Sequence, residues 1–269
     1  MTETGARAEP GNPAEPAAGT ESAARVADVL LLFTGAPAEL GVSRIARELG
    51  LSKAVVHRIL RSLAARGMVT CSPESRRYRL GPAAAALGAR ALRDCDLRSA
   101  AMDVLRRLRD ETGETATLTA LIPDGRVYLD QVPGVHEIKM TVELGRRFPL
   151  HAGSSGKCML AFLPEQARER VLAAPLEALT ANTVTDPDAL RAELKVIADR
   201  GYAVSGGERQ PDAGSVAAPV LGAVGEVIGA ISVCGPRYRV TATLAARLAP
   251  EVVAAAAEIS RRMGWHGIR

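Results

Sequence analysis

Between Val42 and Arg61 the chain reads VSRIARELGLSKAVVHRILR, and the spacing of its residue types suits two short helices joined by a tight turn. Ala46 is small where a second helix must cross closely, and Gly50, four residues on, tolerates the positive φ that such a turn demands. Val56 and Ile59, backed by Ile45, Leu49 and Leu51, supply an inner face. Burying that face turns the other side of the second helix outward: Ser52, Lys53, Ala54, His57, Arg58 and Arg61, with Val55 at its edge. Lys53 and Arg58 can donate to guanine edges or to phosphates, and His57 can do either. Ser52, at the helix N-terminus, can hold a phosphate together with the first free backbone N–H groups. Ser43 and Arg44 open the preceding helix, with Ser43 as its cap, and join the candidate DNA contacts. Arg44, Arg47 and Arg66 serve equally well as phosphate contacts or as solubilising charge. Two β-like runs follow, MVTC (68–71) and RRYRLG (76–81), joined by the turn Ser72-Pro73-Glu74-Ser75. Arg76, Arg77 and Arg79 make this hairpin a candidate wing along a DNA backbone or minor groove. The competing reading is a helical hairpin that merely packs, its cations solvated; spacing, cap, charge and a basic hairpin downstream together favour double-stranded DNA.

A second stretch able to do chemistry is HAGSSGKCMLAFL (151–163), a Gly/Ser-rich loop running into a helix. Free N–H groups at Ser154, Ser155 and Gly156 form a partial positive site suited to a carboxylate. A nucleotide P-loop is excluded, because it requires Gly at 151 and Ser or Thr at 158, where the chain has His151 and Cys158. Signatures of catalysis are missing: no Gly-x-Ser-x-Gly, no His-Glu-x-x-His and no Cys-x-x-Cys occurs. The histidines (His57, His136, His151, His266) lack metal-ligand spacing, so neither a metal nor a cofactor is expected. The cysteines (Cys71, Cys95, Cys158, Cys234) are scattered singly, which fits a reducing cytosol better than a disulfide framework. A metabolic enzyme using the N-terminal hairpin to dimerise is the rival class, and it predicts no salt-dependent affinity for duplex DNA.

The elements that must position these residues are legible from periodicity. Residues 1–21, rich in Pro, Ala, Gly and Glu with net charge −3, read as a disordered tail. Ser22 is placed to cap a helix with Val26, Val29, Leu30 and Phe33 on one side, and GAPAELG (35–41) breaks it. Ser52 caps the second helix of the pair, and Gly67 stops it. Residues 22–82 carry ten Arg and Lys against four Asp and Glu, a net +6, whereas 83–269 carry only +1. A basic end on a neutral body points to nucleic acid at one end only. An alanine-rich connecting helix over 82–97 and an amphipathic helix over 97–112 follow. Strands are expected at 115–122, 127–132, 138–142, 202–205, 216–221 and 227–233, with a Pro123-Asp124-Gly125 hairpin turn. Helices are expected at 155–163, 164–173, 187–199 and 241–263, the last kinked or split at Pro250. Paired strands with helices gathered at the ends give an α+β class. No apolar run reaches the ~20 residues of a membrane span, and the N-terminus lacks the apolar stretch of a secretory signal.

Residues 42–81 resemble the winged helix-turn-helix of the IclR family of bacterial transcription regulators. ETGETATLTALI (111–122), VYLDQV (127–132), LGRRFPLHAGSSGKCMLAFLP (144–164) and VAAPVLGAVGEVIGAISVCGP (216–236) extend the resemblance over about residues 22–264. It implies a winged helix-turn-helix domain at 22–82, a linker helix at 83–96 and a GAF-like α+β domain at 97–269 for effector binding and oligomerisation. It also implies a cytoplasmic dimer or dimer of dimers on a palindromic operator, released or recruited by a small organic acid or aromatic metabolite. Most members repress and some activate. Effector contacts implied by the resemblance are Ser154, Ser155, Ser205, Ser215, Ser232 and Cys234, with apolar walls from Met140, Leu144 and Phe148. The chain departs from the family's common pattern in having Ser205 in place of Asp, and Asp212-Ala213-Gly214-Ser215 in place of Gly-Val-Arg-Cys. Glu208 and Arg209 are placed to form an ion pair at the rim.

Overall fold

The computed structural model describes residues 19–267 apart from Ala36 and Asp124, and the chain divides into two compact units at Ala86/Leu87. Most of the predicted tail, residues 1–18, and the centre of the 123–125 turn lie outside the described residues.

In the N-terminal unit, α1 (Gly19–Leu32), α2 (Val42–Glu48) and α3 (Lys53–Ala64) precede a hairpin of β1 (Val69–Cys71) and β2 (Tyr78–Leu80). Val29, Phe33, Ile45, Val56, Ile59, Leu60 and Leu63 form one core, closed by Val69 and Tyr78 of the hairpin. Leu40 adds a bridge to β2: its N–H donates to the Tyr78 carbonyl, and the Tyr78 N–H donates back, both at 2.8 Å. Two expected caps are corrected. α1 starts before Ser22, so Ser22 is an interior residue. α2 is capped by the Gly41 backbone, whose carbonyl accepts from Arg44 and Ile45, and the Ser43 hydroxyl has no capping role.

α4 (Pro82–Arg93) contains the point at which the units divide and buries none of its residues. The C-terminal unit holds α5 (Asp96–Thr112), β3 (Thr115–Ile122), β4 (Gly125–Val132), β5 (Arg147–Phe148), α6 (Ser154–Ala161), α7 (Glu165–Ala173), α8 (Pro187–Arg200), β6 (Ala203–Gly206), β7 (Ala213–Leu221), β8 (Val227–Pro236) and α9 (Ala242–Arg262). The strands form one antiparallel sheet in the order β5-β4-β3-β8-β7-β6. Alternation along each strand assigns its two sides to two cores. Leu118, Val216, Ala218, Val220, Ile231 and Val233 pack with α5 and α9. Ala217 and Ala230 pack with Cys158, Leu160, Leu190, Leu194 and Ile197 of α6 and α8.

One expected strand fails, and of the two outcomes expected at Pro250 the split does not occur. Residues 138–142 form no strand, because the backbone N–H and carbonyl of Val142 are both bonded to the Gln131 side chain at 2.8 Å, in place of a ladder. The edge is taken instead by Arg147 and Phe148. Nor does Pro250 split the last helix, which runs unbroken as α9. Pro187, by contrast, sits at the start of α8 behind the Asp186 cap, where its missing N–H costs nothing.

Glu114, between α5 and β3 and only 2% exposed, is held by both Arg239 Nε and Nη2, the latter at 3.0 Å. Arg239→Met should destabilise the protein by about 3–5 kcal/mol, because it leaves a buried carboxylate unpaired. Adding Glu114→Gln should recover part of that loss. Chemical denaturation of both variants checks it, and equal midpoints for wild type and the single variant refute it.

Candidate functional sites

The α3 surface divides as the sequence demands. Val56, Ile59, Leu60 and Leu63 are buried, while Ser52, Lys53, Ala54, His57, Arg58 and Arg61 are exposed and Val55 is half-buried between them. The Ser52 hydroxyl accepts the Val55 N–H at 3.3 Å, which fixes the helix start and leaves other first-turn N–H groups facing outward. Gly50, at φ +64°, makes the turn before it. Ser43 is exposed; Arg44 is half-buried and pairs with Glu48 at 2.6 Å within α2. In the hairpin, Arg76, Arg77 and Arg79 are all exposed, and Arg76 adopts φ +54°. That left-handed turn is closed by Ser72 N to Arg77 O at 2.8 Å and by Ser75 N to Ser72 Oγ at 3.2 Å. Cations therefore line both the helix and the wing of one small unit.

In the C-terminal unit, sheet register gathers the predicted polar residues. Ser205 pairs with Ser215, Ser215 with Cys234, and Ser232 with Thr117. All point to the α6 side, because their neighbours Val216, Ile231 and Val233 point to α5 and α9. The hydroxyls of Ser154 and Ser215 lie 2.7 Å apart, as do those of Thr117 and Ser232. Ser154, Ser155, Ser205, Ser215, Ser232 and Cys234 thus line one small cleft of about 30 Å³ at the N-terminus of α6. Arg126, Tyr128 and Arg209 also line it. A larger groove of about 670 Å³ lies between the end of the β3–β4 hairpin and α7, but its lining is mostly apolar and gathers no comparable polar set.

The predicted apolar walls are displaced from this cleft. Leu144 is 48% exposed and Met140 half-buried in the irregular segment after β4, and neither lines it. Pinning by Gln131 turns Val142 inward there in their stead, against Tyr128 and Phe148. Phe148 packs edge-on behind Tyr128, ring centroids 5.6 Å apart. Glu208 does not pair with Arg209: its two oxygens accept from Lys157 Nζ at 2.5 Å and from Gly153 N at 3.1 Å. Lys157, 1% exposed, is also held by Glu193 of α8 at 2.5 Å. Arg209 instead lies over the Phe148 ring at 5.0 Å.

Both units match known protein domains. The IclR helix-turn-helix domain matches residues 22–73, and the bacterial transcriptional regulator IclR C-terminal domain matches 89–261. The chain belongs to the IclR family of transcriptional regulators. It is 35% identical to the HTH-type transcriptional regulator BhcR of Paracoccus denitrificans over 92% of this chain and 88% of that protein. It is 36% identical to the glycerol operon regulatory protein of Streptomyces griseus, covering 91% and 96% of the two chains. Among solved structures, an IclR transcriptional regulator from Alicyclobacillus acidocaldarius superposes with TM-score 0.78 at 32% identity, covering 90% of this chain and 98% of that one. An IclR homolog from Microbacterium hydrocarbonoxydans, solved in complex with 4-hydroxybenzoate, gives TM-score 0.69 at 27% identity and covers 90% and 99%.

Reading this IclR-family chain from sequence missed Arg126 and Tyr128. A partial signal was present: Arg126 stands two residues before the aromatic Tyr128 on β4, and both are buried. A register shift opposite Leu118 and Thr119 puts Val132 on the other face and breaks the alternation that would have marked the position. A buried cation is exceptional. Among the described residues no group of three or more His, Cys, Asp or Glu side chains is placed to hold a metal. Among the described residues no helix is long and apolar enough to cross a membrane. Burial pushes the Cys234 thiol up to about 12 against the nearby Arg209 charge, and burial raises the Cys158 thiol as well. Iodoacetamide at pH 8 should therefore modify the half-buried Cys71 and Cys95 and spare Cys158 and Cys234 in the native protein. Peptide mass spectrometry checks this, and prompt labelling of Cys234 would sink it.

Proposed function

We propose that this regulator is a repressor, a homodimer or dimer of dimers, that grips operator DNA through α3 and the wing. It acts in the cytoplasm and as a DNA-binding switch rather than an enzyme. In this reading residues 22–82 form the DNA-binding domain, 83–96 the linker helix and 97–269 the effector-binding and oligomerisation domain; the division of the chain at Ala86/Leu87 supports it. The carrying observation is the split surface of α3, apolar side buried and Ser52, Lys53, His57, Arg58 and Arg61 exposed on one helix, the element a major groove admits. Ser43, Arg44, Ala54, Val55, Arg76, Arg77 and Arg79 complete the proposed contacts.

The effector is a small organic acid or aromatic metabolite bound in the cleft beneath α6. The convergence of Ser154, Ser155, Ser205, Ser215, Ser232 and Cys234 there supports this, as does the 4-hydroxybenzoate held by the Microbacterium homolog. To switch the protein, the effector must bind two arrangements of the dimer with different affinity. α4, the only helix containing the division between the units, carries the difference to the spacing of the DNA-binding heads.

Lys53→Ala together with Arg58→Ala should weaken binding to a duplex selected from a random pool by about 2–4 kcal/mol. Both residues are exposed, so the thermal midpoint should hold. The log–log slope of affinity against salt should shrink by about one to two ions. Fluorescence anisotropy measures both, and undiminished affinity in the double variant refutes the assignment of the α3 surface.

A further inference from the structure

Arg126 is 1% exposed, and its guanidinium Nε and Nη1 have no hydrogen-bond acceptor. Its Nη2 donates to the Ala152 carbonyl at 3.2 Å, and the group otherwise rests over the rings of Tyr128 and Phe148, at 5.2 and 5.3 Å. Arg209 shares those two rings, at 5.8 and 5.0 Å, and its nearest polar side-chain partner is the neutral Gln210 amide at 3.5 Å. Two guanidiniums thus occupy one aromatic corner with no carboxylate between them.

The surroundings add to the positive potential. A Cβ on Gly156 would meet Arg126 Nε at 3.0 Å, and one on Gly153 would meet its Nη2 at 3.6 Å, so the guanidinium lies against the start of α6. The N–H groups of Ser154, Ser155 and Gly156 emerge there, with the positive end of the helix dipole. None of the residues lining the cleft is acidic. Glu208 is the nearest acid along the chain, and both its oxygens are engaged by Lys157 and Gly153. Arg146 also approaches Phe148, at 5.1 Å, but it has its own partner in Glu143. An isolated buried cation beside a helix N-terminus is unfavourable without a counter-charge.

We propose that the effector is a short aliphatic dicarboxylate, one carboxylate docking on Arg126 and the N-terminus of α6, the other on Arg209. This rests on the effector-cleft reading above and sharpens it. A single buried guanidinium would suit a monoacid; two, unpaired and sharing one corner, call for two negative charges. The floor of serine hydroxyls suits a polar backbone such as a hydroxy-diacid, and the cleft, about 30 Å³, must open to take it. Arg209, half-buried on the turn between β6 and β7, swings to admit the ligand and closes on its outer carboxylate.

The test is thermal denaturation of the full chain with malonate, succinate, malate or tartrate, against lactate, 4-hydroxybenzoate, sulfate and phosphate, all at millimolar concentration and matched ionic strength. At least one dicarboxylate should raise the midpoint by several degrees and exceed every other probe. Arg126→Met should abolish that rise while leaving the unliganded midpoint equal or higher, since an unpaired buried charge is replaced by an apolar chain of similar length. Arg209→Ala should weaken dicarboxylates more than lactate, and serves equally if Arg126→Met does not fold. A lower midpoint in unliganded Arg126→Met that Arg126→Lys restores, with the dicarboxylate response intact in Arg209→Ala, makes Arg126 structural and overturns the proposal. So does the absence of any dicarboxylate response, or a response matched by sulfate or phosphate. A response to lactate or 4-hydroxybenzoate alone refutes the dicarboxylate and leaves the effector reading standing. That broader reading fails separately, if no small molecule alters binding to the selected duplex.

Discussion

Strands β7 and β8 must satisfy two different environments at once, and the rest of the C-terminal unit follows from how they do it. Odd and even residues part company across the sheet: Val216, Ala218, Val220, Ile231 and Val233 meet the long helices α5 and α9, whereas Ser215, Ala217, Ser232 and Cys234 face α6. A slip of one residue would exchange these sets, placing hydroxyls in the main core and valines under α6. The hydrophobic effect on one side thus holds register for the polar side. No residue of the cleft floor needs to hold itself in place.

The N-terminal unit applies the same logic to a helix. α3 buries Val56, Ile59, Leu60 and Leu63, and geometry then dictates which way Lys53, His57, Arg58 and Arg61 face. Each proposed binding surface is the reverse of a packed one.

That dependence also explains what was legible in the sequence. The α2–α3 pair was readable because its constraints are local: a small residue, a glycine at positive φ and an apolar period all fall within twenty residues. The serines of the cleft were identified by family resemblance, and their convergence was invisible to periodicity because it depends on pairing between strands far apart in the chain. Residues 138–142 looked like a strand from their alternation, yet the Gln131 amide takes the backbone groups a ladder would need. Pro250 suggested a break, but tertiary packing of Ala249, Val252 and Ala256 keeps α9 continuous. Arg126 escaped notice because a cation in a strand ordinarily faces water, and the pairing of β4 with β5 and the closeness of α6 show that it does not.

The Lys157 ammonium offers one more lesson. Its two carboxylate partners come from α8 and from the turn after β6, and the second of these also grips the backbone at Gly153. Three segments remote in sequence therefore meet at one buried ammonium. The Gly153 loop and α8 are thus joined through two carboxylates that share the Lys157 ammonium. The ion cluster makes the wall of the cleft a lever with its far arm on another helix.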